Sequence, residues 1–167
     1  MTDTLELQYE PFPLLHMPVT KYEFDQDTKL LEKLMIDTMR QNKGIGLAAN
    51  QVNIPYQMFV MGNDFIEGFV KPTLFINPMI LKVSEEKTLD KEGCLSFPGL
   101  WLNVERPKKI VAAYQDVDQK WNEIEIDGYM AKCFQHEFDH LHGVCYTDRV
   151  GKLKLEMAIK KMRKGKK

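Results

Sequence analysis

Gln135-His136-Glu137-Phe138-Asp139-His140, inside the run GYMAKCFQHEFDHLH at positions 128–142, decides how this chain is read. Positions i and i+4 of a helix share a face, so on a helix His136 and His140 aim their imidazoles at one metal ion. Glu137 lies beside that face, within reach of a water on the metal. Zinc or ferrous iron held this way brings the water's pKa toward neutrality, and the carboxylate takes its proton and later returns it to a leaving group. Tyr129, Cys133, His136 and His140 fall at i, i+4, i+7 and i+11, one stripe running from an apolar end to the metal end. Cys133 reads as core or pocket wall, while His142, His16 and Cys145 each stand alone and read as structural.

Outward from this helix the pattern changes. Residues 56–61, 73–84, 102–105, 108–115 and 121–127 are short, rich in β-branched and aromatic residues, and separated by Gly, Pro or Asn; they predict antiparallel strands. Residues 26–41 predict a helix, with Leu31, Leu34, Met35 and Met39 near its period and Gly44 as its stop, and another helix starts near Lys152. Pro11, Pro13 and Pro18 make the first twenty residues an irregular lead-in. A helix, a run of strands and then helices predict an α+β fold, a single domain over residues 1–167 with antiparallel sheets packed around the HExxH helix.

Composition agrees. The 167 residues are 44% hydrophobic and 28% charged, near the globular average, with no repeat, no apolar run long enough for a membrane helix and no secretory leader at MTDTLELQYE. Three cysteines are too few for a disulfide scaffold and fit a reducing compartment, so the expected location is cytoplasmic. The formal charge of -1 hides a split: residues 152–167 carry +7 and the remainder -8. A solvated tail and a polyanion-docking tail both fit that charge.

Two histidines leave a catalytic metal site short of a ligand. Tyr146 stands where HExxHxxGxxH needs its third histidine, and Glu156, the one acid on a later helix, lies in the Lys-rich tail. Cys94, in Glu92-Gly93-Cys94-Leu95-Ser96, is the better candidate, since a thiolate with two imidazoles is a catalytic ligand set. Gly93 beside it allows close approach of a ligand. The segment Gly44-Ile45-Gly46-Leu47-Ala48-Ala49-Asn50-Gln51 lacks the Lys-Ser/Thr of a phosphate loop. It suits backbone pairing with an extended peptide instead, with Gln51 as a donor to an oxyanion.

GIGLAANQ at 44–51, EGCLS at 92–96 and QHEFDHLHG at 135–143, in this order, resemble the three signature motifs of peptide deformylases, and the likeness extends over residues 5 to 160. The resemblance implies an α+β fold and a hydrolase that removes the formyl group from the N-terminal formylmethionine of nascent polypeptides. It implies Cys94, His136 and His140 as ligands of one divalent metal, Fe2+ in the cell with Zn2+, Ni2+ or Co2+ able to replace it. Glu137 becomes the general base and then acid; Gln51 and the Leu95 backbone N–H become the oxyanion donors.

Ile45, Tyr129 and Cys133 are expected to line the pocket for the methionine side chain, and the backbone of Ile45, Gly46 and the segment around Gly93 to pair with the peptide. Trp101 stands where some relatives carry a basic residue that meets the peptide, and Tyr129 and Lys132 are larger or more polar than the aliphatic residues common there. A C-terminal helix of such a protein can associate with the ribosome, which +7 would suit. Two other readings stay open: an HExxH endopeptidase indifferent to Cys94, and a peptide-binding relative without turnover.

Overall fold

The computed structural model describes residues 4–165, so Lys166 and Lys167 of the basic tail lie outside the described residues. The sequence accounts for the architecture through two kinds of strand. In β2 (Met58–Met61), next to β1 (Gly46–Ala48) and β3 (Thr73–Val83), every residue is buried. Phe59 and Met61 join one core and Met58 and Val60 the other, as the two-residue period of a strand requires when both faces are covered. Helix α1 (Thr28–Gln41), capped by Asp27 accepting from Leu30 N at 3.0 Å, adds Met35 and Met39 to the core of Met58 and Val60.

The opposite core centres on Phe134 of α2 (Gly128–Leu141), the histidine helix, which meets Phe59 edge-on with ring centroids 4.9 Å apart. Strands β6 (Lys109–Gln115) and β7 (Trp121–Asp127) complete an antiparallel five-stranded sheet in the order β1-β2-β3-β6-β7.

A second, two-stranded sheet pairs β4 (Lys87–Cys94) with β5 (Phe97–Pro107). Along β5 the buried residues are Leu100, Leu102, Val104 and Arg106, alternating with exposed Trp101, Asn103 and Glu105. Its apolar part packs with Tyr146 and with Leu155, Ala158, Ile159 and Met162 of the C-terminal helix α3 (Lys152–Lys164).

The fold is the expected α+β arrangement, with differences of detail. Strands β1 and β4 are absent from the sequence reading, and β5 is longer than 102–105, because Gly46, Gly93, Pro98 and Gly99 disguise strands whose pairing is set by tertiary contact. The lead-in contains a 3-10 turn at Pro13–His16. The left-handed residue ending α1 is Lys43, with φ 56°, rather than Gly44.

Candidate active site

Cys94 ends β4, and its Sγ lies 3.4 Å from His140 Nε2 on α2. One ligand atom each from Cys94, His136 and His140 falls within 4.8 Å of the others. The donor set, one thiolate and two imidazoles, suits an ion of the zinc and ferrous class.

What aims His136 is a carboxylate: its Nδ1 is 2.9 Å from Glu92 Oε2, so Nδ1–H donates to Glu92 and Nε2 is left for a metal. Glu92 is itself gripped by the buried Arg106, through Nε at 2.6 Å and Nη2 at 3.1 Å. Arg106 Nη1 continues to Asp139 at 2.8 Å, and Arg149 closes on the same carboxylate from outside. His140 is tied differently: Asn50, buried beside it, donates from Nδ2 to the His140 carbonyl at 2.7 Å and to the Leu14 carbonyl at 3.2 Å.

The charges follow from these contacts. Burial pushes Glu92 upward, but its hydrogen bonds to His136 and Arg106 prevail and hold its pKa at about 2. Arg106 loses charge stability to burial and more than regains it from Glu92 and Asp139. Burial raises Glu137 to about 7 against the pull of His136. In His136, burial is outweighed by Cys94 and Glu92, and the pKa rises to about 10. His140 is driven well below its ordinary value by burial and by repulsion from His136. Negative groups therefore surround the imidazoles and favour one positive charge among them.

Glu137 is buried, and its Oε2 has no hydrogen-bond partner among the described residues. A buried carboxylate oxygen with no protein partner fits an atom kept for a water or a substrate. Together with the donor set, this fits the residues to a metal and its water. Gly46 owes its identity to the same carboxylate, because a Cβ there would lie 2.8 Å from Glu137 Cδ.

Gln51 points its amide into the cluster. Oε1 accepts from Ala48 N at 2.8 Å, while Nε2 donates to Ser96 Oγ at 3.0 Å and approaches Cys94 Sγ at 3.4 Å. The cleft outside, about 410 Å³, has Ile45, Gly46, Gln51, Gly93, Leu95, Tyr129 and Cys133 in its wall, so the structure brings every expected site residue to one place.

Trp101 lies across Gly93, where a Cβ would meet its ring at 2.7 Å. Lys132 is buried in the same wall, donating to the Lys91 carbonyl at 3.1 Å with its ammonium 4.8 Å from the Tyr129 ring centroid. Tyr146, in the place of a third histidine, is a packing residue: its hydroxyl donates to the Leu100 carbonyl at 2.8 Å and its ring lies 5.5 Å from that of His136.

Sequence reasoning missed the supporting network of Arg106, Asp139 and Arg149 and gave Glu92 no role. One signal was available: Arg106 continues the period-2 apolar series Leu100, Leu102, Val104, where a cation needs a buried partner.

A sheet-framed helix carrying HExxH, completed by a cysteine from the end of a neighbouring strand, defines the class of this protein. The chain belongs to the polypeptide deformylase family, whose model matches residues 5–156. The peptide deformylase of Bartonella quintana is 42% identical over 140 residues, covering 84% of this chain and 80% of that protein. That of Rhizobium meliloti is 39% identical, covering 92% and 89%. Among solved structures, the Synechococcus elongatus peptide deformylase in complex with actinonin superimposes with a TM-score of 0.87 at 36% identity, over 95% of this chain and 86% of the other. The Thermotoga maritima peptide deformylase gives 0.81 at 40% identity, over 89% and 98%. The chain is thus a hydrolase of the peptide deformylase type, and removal of the formyl group from nascent peptides is the activity its family supports.

Proposed function

We propose that the cleft takes the N-formylmethionyl end of a peptide, with Cys94, His136 and His140 holding one divalent metal, Fe2+ in the cell. When bound, the ion acidifies a water and polarises the formyl oxygen. Glu137 removes the proton from that water and passes it to the departing amine. Burial, which lifts its carboxyl to about 7, suits it to both tasks. Gln51 Nε2 and the Leu95 backbone N–H meet the oxyanion as it develops. Ile45, Tyr129 and Cys133 receive the methionine side chain, and the backbone at Ile45, Gly46 and Gly93 pairs with the peptide as an added strand.

The observation that carries this reading is Glu137 Oε2, without a hydrogen-bond partner among the described residues, in the same cleft as the Cys94, His136 and His140 cluster. Three free cysteines, at 94, 133 and 145, fit a cytoplasmic location, and no helix among the described residues is long and apolar enough to cross a membrane. The exposed basic side of α3 is proposed to meet ribosomal RNA.

The test is deformylation of a formyl-Met-Ala-Ser peptide by protein purified anaerobically with Fe2+, or with Ni2+ in its place. Turnover lost in both Cys94→Ala and Glu137→Ala is expected. Turnover retained in Cys94→Ala overturns the ligand assignment, and cleavage at internal peptide bonds would favour an endopeptidase.

A further inference from the structure

His16 and Cys145, isolated in the sequence, are neighbours in the fold. Cys145 Sγ lies 4.0 Å from His16 Nδ1, and one ligand atom each from His16, Cys145 and Asp148 falls within 4.8 Å of the others. None of the three lines the active-site cleft. The imidazole is oriented from behind: Glu10 Oε2 takes the proton of His16 Nε2 at 2.6 Å, so Nδ1, on the Cys145 side, presents its lone pair. A carboxylate behind a histidine whose other nitrogen faces a thiol is the usual support of a metal-binding imidazole. Asp148 is fixed as well, since its Oδ2 accepts from Cys145 N at 2.8 Å.

We propose that His16, Cys145 and Asp148 form a second metal site, for a zinc-class divalent ion, separate from the catalytic cluster. The donors are one sulfur, one nitrogen and one oxygen, a set that suits zinc and disfavours Ca2+ and Mg2+, which take oxygen alone. Zinc bonds of about 2.3 Å to sulfur and about 2.0 Å to nitrogen span the 4.0 Å gap at a wide angle. A small turn of the exposed His16 ring closes that angle toward the tetrahedral value. A water completes the shell.

A cysteine nucleophile activated by His16 and Glu10 is the competing use of the same geometry. It is disfavoured because Cys145 is fully buried, its Sγ donates to the Leu15 carbonyl at 3.6 Å, and burial pushes its thiol up to about 12. A metal instead displaces the thiol proton and ties the lead-in segment to the loop after α2. Those two segments already meet through the pairing of Pro18 with His142 and the bond from Val19 N to the Leu141 carbonyl at 3.0 Å. The expected consequence is structural, a staple beside the helix that carries His136 and His140.

Native mass spectrometry of the full chain, loaded with Zn2+ and then exchanged into metal-free buffer, tests this. Two zinc ions are expected on the parent and one on either His16→Gln or Cys145→Ser. Cys94→Ser should keep the zinc that Cys145→Ser loses. Glu10→Gln should weaken the second site about 10- to 100-fold by the loss of its orienting carboxylate. His16 is exposed, so its substitution reads out binding even where Cys145→Ser disturbs packing. A single zinc on the parent, or a second zinc that survives both substitutions, overturns the proposal.

Discussion

Glu92 Oε2 accepts a hydrogen bond from His136 Nδ1 at 2.9 Å, and this contact joins the small sheet to the histidine helix at the point where Cys94, His136 and His140 converge. Arg106 holds the other side of Glu92, so the direction of His136 is set by a cation on β5 that never reaches the cleft wall. Glu92→Gln should leave Arg106 without its full counter-charge and lower metal affinity by about 10- to 100-fold. Arg106→Ala, which strips the buried Glu92 carboxylate of its cation and leaves Asp139 to Arg149 alone, should cost about 3–5 kcal/mol in a urea titration. An unchanged metal affinity in Glu92→Gln would show that His136 is aimed by packing alone.

The same carboxylate sets an acid limit. With its folded pKa near 2 against an ordinary 4.5, Glu92 contributes stability that is complete above pH 4.5 and lost as pH falls toward 2. Glu137 works in the opposite sense. Raised to about 7, it favours the fold below pH 4.5 and takes that stability away as pH rises through 7. In metal-free protein, Glu92→Gln should flatten the acid limb of the unfolding curve, and Glu137→Gln the decline between pH 4.5 and 7.

Two glycines of the cleft should tolerate alanine unequally. At Gly46 the added methyl meets the buried Glu137 carboxylate, so Gly46→Ala should displace the proposed proton carrier and remove most of the turnover. At Gly93 it meets the Trp101 ring, which is 57% exposed and free to swing outward. Gly93→Ala should therefore change KM more than kcat, and steady-state kinetics of the pair will separate the two effects.

Gln51→Ala should reduce kcat roughly 100- to 1,000-fold, the range for one oxyanion donor. It also strips the buried Ala48 N–H of its acceptor, at about 1–3 kcal/mol. Gln51→Glu keeps an acceptor for Ala48 and loses the amide donor. A kcat loss shared by both variants, with stability recovered in Gln51→Glu, would separate chemistry from folding.

The basic tail needs a test other than deletion. Leu155, Ala158, Ile159 and Met162 of α3 pack on the β5 cluster, so removing residues 152–167 would uncover an apolar face. Charge reversal at exposed Lys154, Lys160 and Lys161 leaves that face in place. Loss of ribosome co-sedimentation with unchanged deformylation of a short peptide is expected; full retention would reduce the tail to a packing element.

The grouping of Cys94, His136 and His140 was legible because the pattern that suggests it is local. Two histidines four apart on a helix, and a cysteine flanked by glycine, keep their meaning whatever surrounds them. Strands β1 and β4 were hidden because their glycines answer to groups from other elements, the Glu137 carboxylate of α2 at Gly46 and the Trp101 indole of the paired strand β5 at Gly93. Arg106 was partly legible as a cation in an apolar alternation, but its partners lie 14 and 33 residues away.

By itself, the sequence determined the α+β order of elements, the face of α2 that carries both imidazoles and the residues fit to complete the site. Periodicity and ligand type are properties of short stretches. Tertiary structure alone decided that Glu92 orients His136, that Gly46 makes room for Glu137, and that His16, Cys145 and Asp148 stand together. These depend on which segments the fold brings side by side, strand against helix and lead-in against the loop after α2, since a buried carboxylate or thiol takes its role from neighbours that chain order does not name.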